Sequence, residues 1–170
     1  MTITELFLKQ LETETVLTRR VLERVPEGRN DWKPHQKSMP LGYLAALVAR
    51  MPAWLAMMLK QDEHDIRPPG GSSTYTPTEW AARPELLKMF EDSVREARDA
   101  FADITDDHLM KPWRLVVSGR VVNEEPRYQA ISNAVFSHLA HHRGQLTVYL
   151  RLNDVPVPAL YGPSADEGGF

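Results

Sequence analysis

Apolar residues recur at helical spacing in long segments of the chain, separated by polar and proline-rich stretches. The first segment starts with Thr2 followed by Glu5, which is the pattern of a capping box, and its apolar stripe ends near Pro26. A second segment follows Ser38, which can serve as its N-cap, and Pro52 lies inside it. Because proline cannot donate the helical hydrogen bond, we expect a kink there.

The third helical pattern covers about 84–103. Residues 67–77, which precede it, have the composition of a loop, and Thr76 to Glu79 form a further capping pattern. This connection is long for a helical bundle, so the pattern leaves a simple up-down-up-down topology open.

Two β-prone runs then flank Ser118-Gly119 in the stretch WRLVVSGRVVNEEP, which predicts a small β-hairpin. Pro126 opens a fourth helix that runs to about Asn153, and residues 155–170 are expected to form an extended C-terminal tail. The pattern therefore predicts an all-α fold, a four-helix bundle with a small β-hairpin inserted before the last helix, in a single domain over 1–170.

Composition narrows the classes of function. The chain has 170 residues, a net charge of −3 and no cysteine. Disulfides and thiolate metal sites are excluded, and any metal must be held by histidine or oxygen. A net negative charge does not indicate binding to nucleic acid or to an anionic membrane, so we expect neither as a partner. The N-terminal segment lacks the apolar run of a signal peptide, and we expect a cytoplasmic protein.

Histidines supply the candidate chemistry. His138 and His142 are four residues apart on the apolar side of the fourth helix, while His141 lies towards the edge of that side. Buried imidazoles need polar partners. Either a divalent metal bridges the pair, or the two rings bond to each other, to Gln145 or to water.

Neighbouring residues also have two readings. Arg143 could bind an anion in a pocket or pair with an acidic residue on another helix, and Gln145 could orient a ring nitrogen or be a core amide. Gly144 is costly inside a helix and indicates a close approach of another helix. A metal needs a third ligand, and none of His35, His64 and His108 is well placed to supply one.

Four stretches resemble the DinB/YfiT-like family: HLAHHRGQLTVYLR at 138–151, VPVPALYGPSADE at 155–167, KPHQKSMPLGYLAAL at 33–47 and KPWRL at 111–115. The resemblance covers most of the chain. It implies a four-helix bundle, often a homodimer, with a metal site of three histidines. His138 and His142 match two of them.

The third histidine of that family usually lies in the second helix, where this chain has Leu47. Leucine cannot ligate, so the departure weakens the expected site for zinc or nickel. Relatives include enzymes that activate a low-molecular-weight thiol, apparent hydrolases and proteins without an assigned reaction. Two hypotheses follow: a ligand-binding or interaction protein with a pocket beside His138 and His142, and a divalent-metal-dependent enzyme of the thiol-transferase or hydrolase type.

Overall fold

Helices dominate the computed structural model, which describes residues 1–71 and 79–168 of the chain. In chain order the elements are α1 (Ile3–Leu22), α2 (Leu41–Arg50), α3 (Ala53–Lys60), β1 (Glu63–Asp65), α4 (Arg83–Asp99), α5 (Asp106–Met110), β2 (Pro112–Val117), β3 (Arg120–Pro126), α6 (Arg127–Ile131), a π-helical segment (Ser132–Ser137) and α7 (His138–Leu152). The capping pattern expected from Thr76 lies outside the described residues, apart from Glu79.

The start of α1 follows the sequence closely. The Thr2 hydroxyl accepts a hydrogen bond from the Glu5 backbone at 3.1 Å, and the Glu5 carboxylate accepts one from the Thr2 backbone at 2.9 Å. The predicted capping box is therefore confirmed, with two otherwise unpaired N–H groups satisfied reciprocally.

The second helix begins later than its sequence indicates. Its N-cap is Pro40 and makes no side-chain capping bond, so the prediction that Ser38 caps the helix was wrong. The preceding loop replaces the cap, because the first two helical N–H groups donate to the carbonyls of Trp32 and Asn30. The kink expected at Pro52 is confirmed: it separates α2 from α3, which are bent by 48° relative to each other.

The sheet is larger than the predicted hairpin and corrects the all-α description. Strand β2 pairs antiparallel with β3, and β1 pairs parallel with β2, which gives the order β1-β2-β3. Ser118 and Gly119 join β2 to β3 with φ values of 53° and 76°. Two positive φ angles at the central positions are typical of a type I′ turn, the connection that suits twisted hairpin strands.

The core lies between the long helices. α4 contacts α1, α2 and α3, and α7 contacts α1 and α2. Apolar side chains such as Leu44, Phe90 and Leu146 are fully buried there. Within the described part of the chain, no single helix is long and apolar enough to cross a membrane, and α2 with α3 meets that criterion only as a bent pair.

A buried ion pair joins α7 to α1 and to the tail. The Arg143 guanidinium, 1% exposed, lies 2.7 Å from the Glu14 carboxylate and donates to the Thr18 hydroxyl at 2.9 Å. Tyr161 in the tail donates its hydroxyl proton to Glu14 and also contacts Arg143. Each charged or polar group in this cluster thus has a partner, as burial requires.

Replacing Arg143 by methionine should lower the free energy of unfolding by about 3–5 kcal/mol, because Glu14 would remain buried without its cation. Urea denaturation followed by circular dichroism measures this loss. The matched control is Arg98→Ala, whose pair with Glu12 is about half exposed and is expected to contribute about 0–1 kcal/mol. Equal losses in the two variants would contradict a structural role for the buried pair.

Replacing Gly42 and replacing Gly144 by alanine should have opposite effects on the stability of the fold. A Cβ at Gly42 would lie 2.8 Å from the Asn30 Cβ, whereas a Cβ at Gly144 meets nothing within 4 Å, so the close helix approach predicted at Gly144 was wrong. We expect Gly42→Ala to destabilise by about 1–3 kcal/mol through overpacking. Gly144→Ala should stabilise by up to about 1 kcal/mol through helix propensity. Thermal unfolding of both variants tests the contrast, and a gain at position 42 would contradict it.

Candidate histidine site

The backbone before the histidine pair departs from an α-helix. The His138 N–H donates to the Val135 carbonyl, three residues back, rather than to the Ala134 carbonyl four residues back. The Ala134 backbone lies close enough to the His138 ring to raise its pKa. π-Helical segments often occur at functional sites, and here the segment leads directly into the first histidine of the pair.

His138 and His142 lie against each other. Their Nε2 atoms are 2.8 Å apart, and the His142 Nδ1 lies 2.8 Å from the Gln145 side-chain oxygen. His142 is buried, with 9% of its surface exposed, and His138 is half-buried. The geometry therefore matches the alternative in which the rings bond to each other and to Gln145.

The ring nitrogens that carry protons determine how the two Nε2 atoms of the pair interact. The Gln145 side-chain oxygen faces the His142 Nδ1, so this Nδ1 is the donor of the His142 ring. In a neutral imidazole the other nitrogen is then an acceptor. The 2.8 Å contact between the two Nε2 atoms therefore needs the proton of the His138 Nε2, which donates to the His142 Nε2. A change of the His138 tautomer would turn both lone pairs inward, an arrangement suited to a cation. Two nitrogens bound to one zinc ion at about 2.1 Å would lie about 3.0–3.4 Å apart.

The surroundings favour neutral rings. Burial lowers the pKa of His138 below its ordinary value, and the nearby His141 lowers it further, while the Ala134 backbone raises it. Burial also lowers the pKa of His142, with the Gln145 bond acting in the opposite direction. Neutral imidazole is the form that ligates metals.

Leu47 lies along α2 between two contacts with the histidine helix. At one end, the Tyr149 hydroxyl donates to the Met39 carbonyl at 3.0 Å. At the other, the Trp54 and His138 rings have centroids 5.7 Å apart. The segment from Met39 to Trp54 therefore runs antiparallel to the histidine helix, and Leu47, which is on α2 between these two residues, is expected near the level of His142. Its side chain is buried in an apolar cluster.

The other predicted site residues do not complete a ligand set. His141 is exposed, with its ring centroid 4.9 Å from that of His142. Arg143 points to Glu14 on α1, which matches the ion-pair reading. In the two described ranges, no group of three His, Cys, Asp or Glu side chains could hold a metal ion. The side chains present thus fit two-thirds of a histidine site and not a complete one.

A second buried network escaped the sequence reasoning. The Arg127 side chain is fully buried and contacts the His108 ring and the Asp62 carboxylate. The His108 Nε2 also lies 2.9 Å from the Leu59 carbonyl oxygen. Leu59, His108 and Arg127 lie on α3, α5 and α6, and Asp62 lies between α3 and β1. No local spacing in the sequence indicates that they meet. The network ties the sheet end of the molecule together.

A surface groove of about 430 Å³ lies on the other side of Gln145. It is lined by Lys37, Ser38, Met39, Gln145, Val148 and Tyr149. Gln145 was a predicted candidate because of its spacing from His142, but the contribution of the loop before α2 was missed. Gln145 is therefore the link between the histidine pair and the nearest described groove.

Comparisons with known proteins point to one family. The sequence model of the DinB superfamily matches residues 10–146. A DinB-like protein from Bacillus cereus has a TM-score of 0.68 and 18% identity, over 91% of this chain and 95% of that chain. A DinB-like protein from Bacillus subtilis has a TM-score of 0.61 and 17% identity, over 88% and 94% respectively. No curated protein matches. At such identities the structural likeness shows the fold alone.

The lowered pKa values of His138 and His142 predict acid sensitivity. The unfolded chain binds protons at these residues more tightly than the folded chain does, so their contribution to stability is present above the ordinary pKa of 6.5 and is lost as the pH falls through the folded-state values. Urea unfolding between about pH 7.5 and about pH 5 should show a smaller loss in the double variant His138→Gln/His142→Gln than in the wild type. Identical pH profiles would contradict the burial of neutral rings.

Proposed function

Because the chain belongs to the DinB superfamily, we propose that it is a ligand-binding or interaction protein of that group whose three-histidine metal site is incomplete. The proposal includes a single domain over 1–170 built as a four-helix bundle, with the ligand pocket beside His138 and His142. The protein is then expected to carry out no metal-dependent catalysis.

The observation that carries the proposal is the buried Leu47. It is 8% exposed and packs in the apolar cluster that includes Leu139 and Leu146, near the level of His142. An aliphatic side chain offers no lone pair, so position 47 cannot supply the third ligand. Two nitrogens alone bind a divalent ion much more weakly than three.

The alternative is a divalent-metal-dependent enzyme of the thiol-transferase or hydrolase type. The specific observation that favours it is the 2.8 Å separation of the two Nε2 atoms, because a change of the His138 tautomer would turn both lone pairs inward. Zinc or nickel held there would supply Lewis-acid activation of a water or a thiol. With Leu47 in place, a third protein ligand would have to come from elsewhere.

Partners and location are proposed on other grounds. A homodimer is implied by the family resemblance, and light scattering of the purified protein tests it. The net charge of −3 supports the absence of a nucleic-acid or membrane partner. A cytoplasmic location completes the proposal.

Metal content separates the two functions. The wild-type protein, purified without a histidine tag, should contain much less than one zinc or nickel per chain by elemental mass spectrometry. Leu47→His should raise this to about one, because it adds a third imidazole facing two nitrogens that already converge. His142→Ala in the Leu47→His background is the matched control and should remove the metal again.

The possible outcomes are distinct. About one metal per wild-type chain, lost in His142→Ala, would contradict the proposal and support the enzyme. Absence of metal from a folded Leu47→His variant would show that the pair is not poised to ligate, and that the level assigned to Leu47 is wrong.

A further inference from the structure

We propose that the groove lined by Lys37, Ser38, Met39, Gln145, Val148 and Tyr149 binds a small organic carboxylate with an apolar body. We call it the Gln145 groove. The inference rests on the proposed ligand-binding function and gives it a ligand class. Its volume of about 430 Å³ falls within the usual range of small-molecule sites.

Three of the residues that line the Gln145 groove, Lys37, Ser38 and Gln145, carry side-chain donors without a partner in the described structure. Within residues 1–71 and 79–168, the Lys37 ammonium forms no ion pair and the Ser38 hydroxyl forms no hydrogen bond. The Gln145 oxygen is used by His142, which leaves the amide nitrogen of Gln145 to donate elsewhere. A cation and two neutral donors together suit an anion that accepts several hydrogen bonds.

Charge around the Gln145 groove points the same way. None of its six lining residues is acidic, although the chain as a whole carries a net charge of −3. The ten-residue helix α2 begins at Leu41, two residues after Met39, and the partial positive charge of a helix N-terminus favours an anion. The backbone donors at Leu41 and Gly42 are already used by the preceding loop, so recognition falls to the side chains.

The remaining walls of the groove are apolar and partly rigid. Val148 is 55% exposed, and a bound ligand would cover it. The Tyr149 ring is fixed, because its hydroxyl donates to the Met39 carbonyl at 3.0 Å. An inorganic anion would leave these walls uncovered, whereas an alkyl or aryl carboxylate would bury them.

Gln145 gives the ligand a route to the histidine pair. Its amide oxygen accepts from the His142 Nδ1 at 2.8 Å, and its nitrogen is the donor available to the groove. A carboxylate bound to that nitrogen therefore holds the amide in the orientation that fixes the His142 tautomer. Binding in the Gln145 groove should be visible at His142 without direct contact.

Nuclear magnetic resonance with matched probes tests the proposal. Phenylacetate at millimolar concentration should shift the side-chain amide signals of Gln145, the methyl signals of Val148 and the ring signals of His142. Phenylacetamide has nearly the same shape without the charge, and it should bind about fivefold more weakly, as expected for the loss of one exposed charge interaction. Lys37→Gln should weaken phenylacetate by a similar factor.

A second lysine variant serves as the control. Lys60 is exposed at the end of α3, far along the chain from the start of α2, and Lys60→Gln should leave phenylacetate binding unchanged. Equal affinity for the acid and the amide, or no effect of Lys37→Gln, would overturn the anion specificity. If neither phenylacetate nor octanoate shifts the groove signals at millimolar concentration, the ligand class is wrong.

Failure here differs from failure of the proposed function. Metal content depends on His138, His142 and position 47, and the probe titration depends on Lys37, Val148 and charge. Metal in the wild type together with selective carboxylate binding would overturn the first proposal and leave this one standing. A metal-free protein that binds neither phenylacetate nor octanoate would overturn the carboxylate proposal and leave the proposed function standing.

Discussion

The pairing of the buried Arg143 guanidinium is the constraint on which the rest of the site depends. A cation that is 1% exposed must face its counter-charge, and Glu14 on α1 is that counter-charge. Consecutive residues on a helix are rotated by about 100°, so fixing Arg143 towards α1 also fixes the direction of His142. The histidine pair and the Gln145 groove follow from that rotation of α7.

The second requirement is satisfaction of the imidazole nitrogens. His138 is oriented by its contact with His142, and His142 by Gln145. Neither orienting group needs a metal to hold the rings in place. The pair can therefore keep its geometry in a protein that has Leu47 where a ligand would be needed, which is why an incomplete site can still look organised.

Sequence patterns predicted the features that depend on local chemistry. The capping box at Thr2, the kink at Pro52 and the facing of His138 towards His142 all follow from spacing over at most four residues. Features that depend on distant partners were not predictable in the same way. Strand β1 is three residues long and is defined only by its pairing with β2. Gly144 has the pattern of a packed glycine, and only the surrounding structure shows that nothing packs against it.

The parallel pairing of β1 with β2 carries a consequence for the order in which the chain assembles. Strands β2 and β3 are joined by a two-residue turn, so their pairing closes a short loop and can form early. Glu63 pairs with Arg114, and this pairing can form only after the intervening chain, which includes α4, has folded back. We therefore expect β1 to complete the sheet late. Its pairing with β2 couples the folding of the small sheet to that of the helical core.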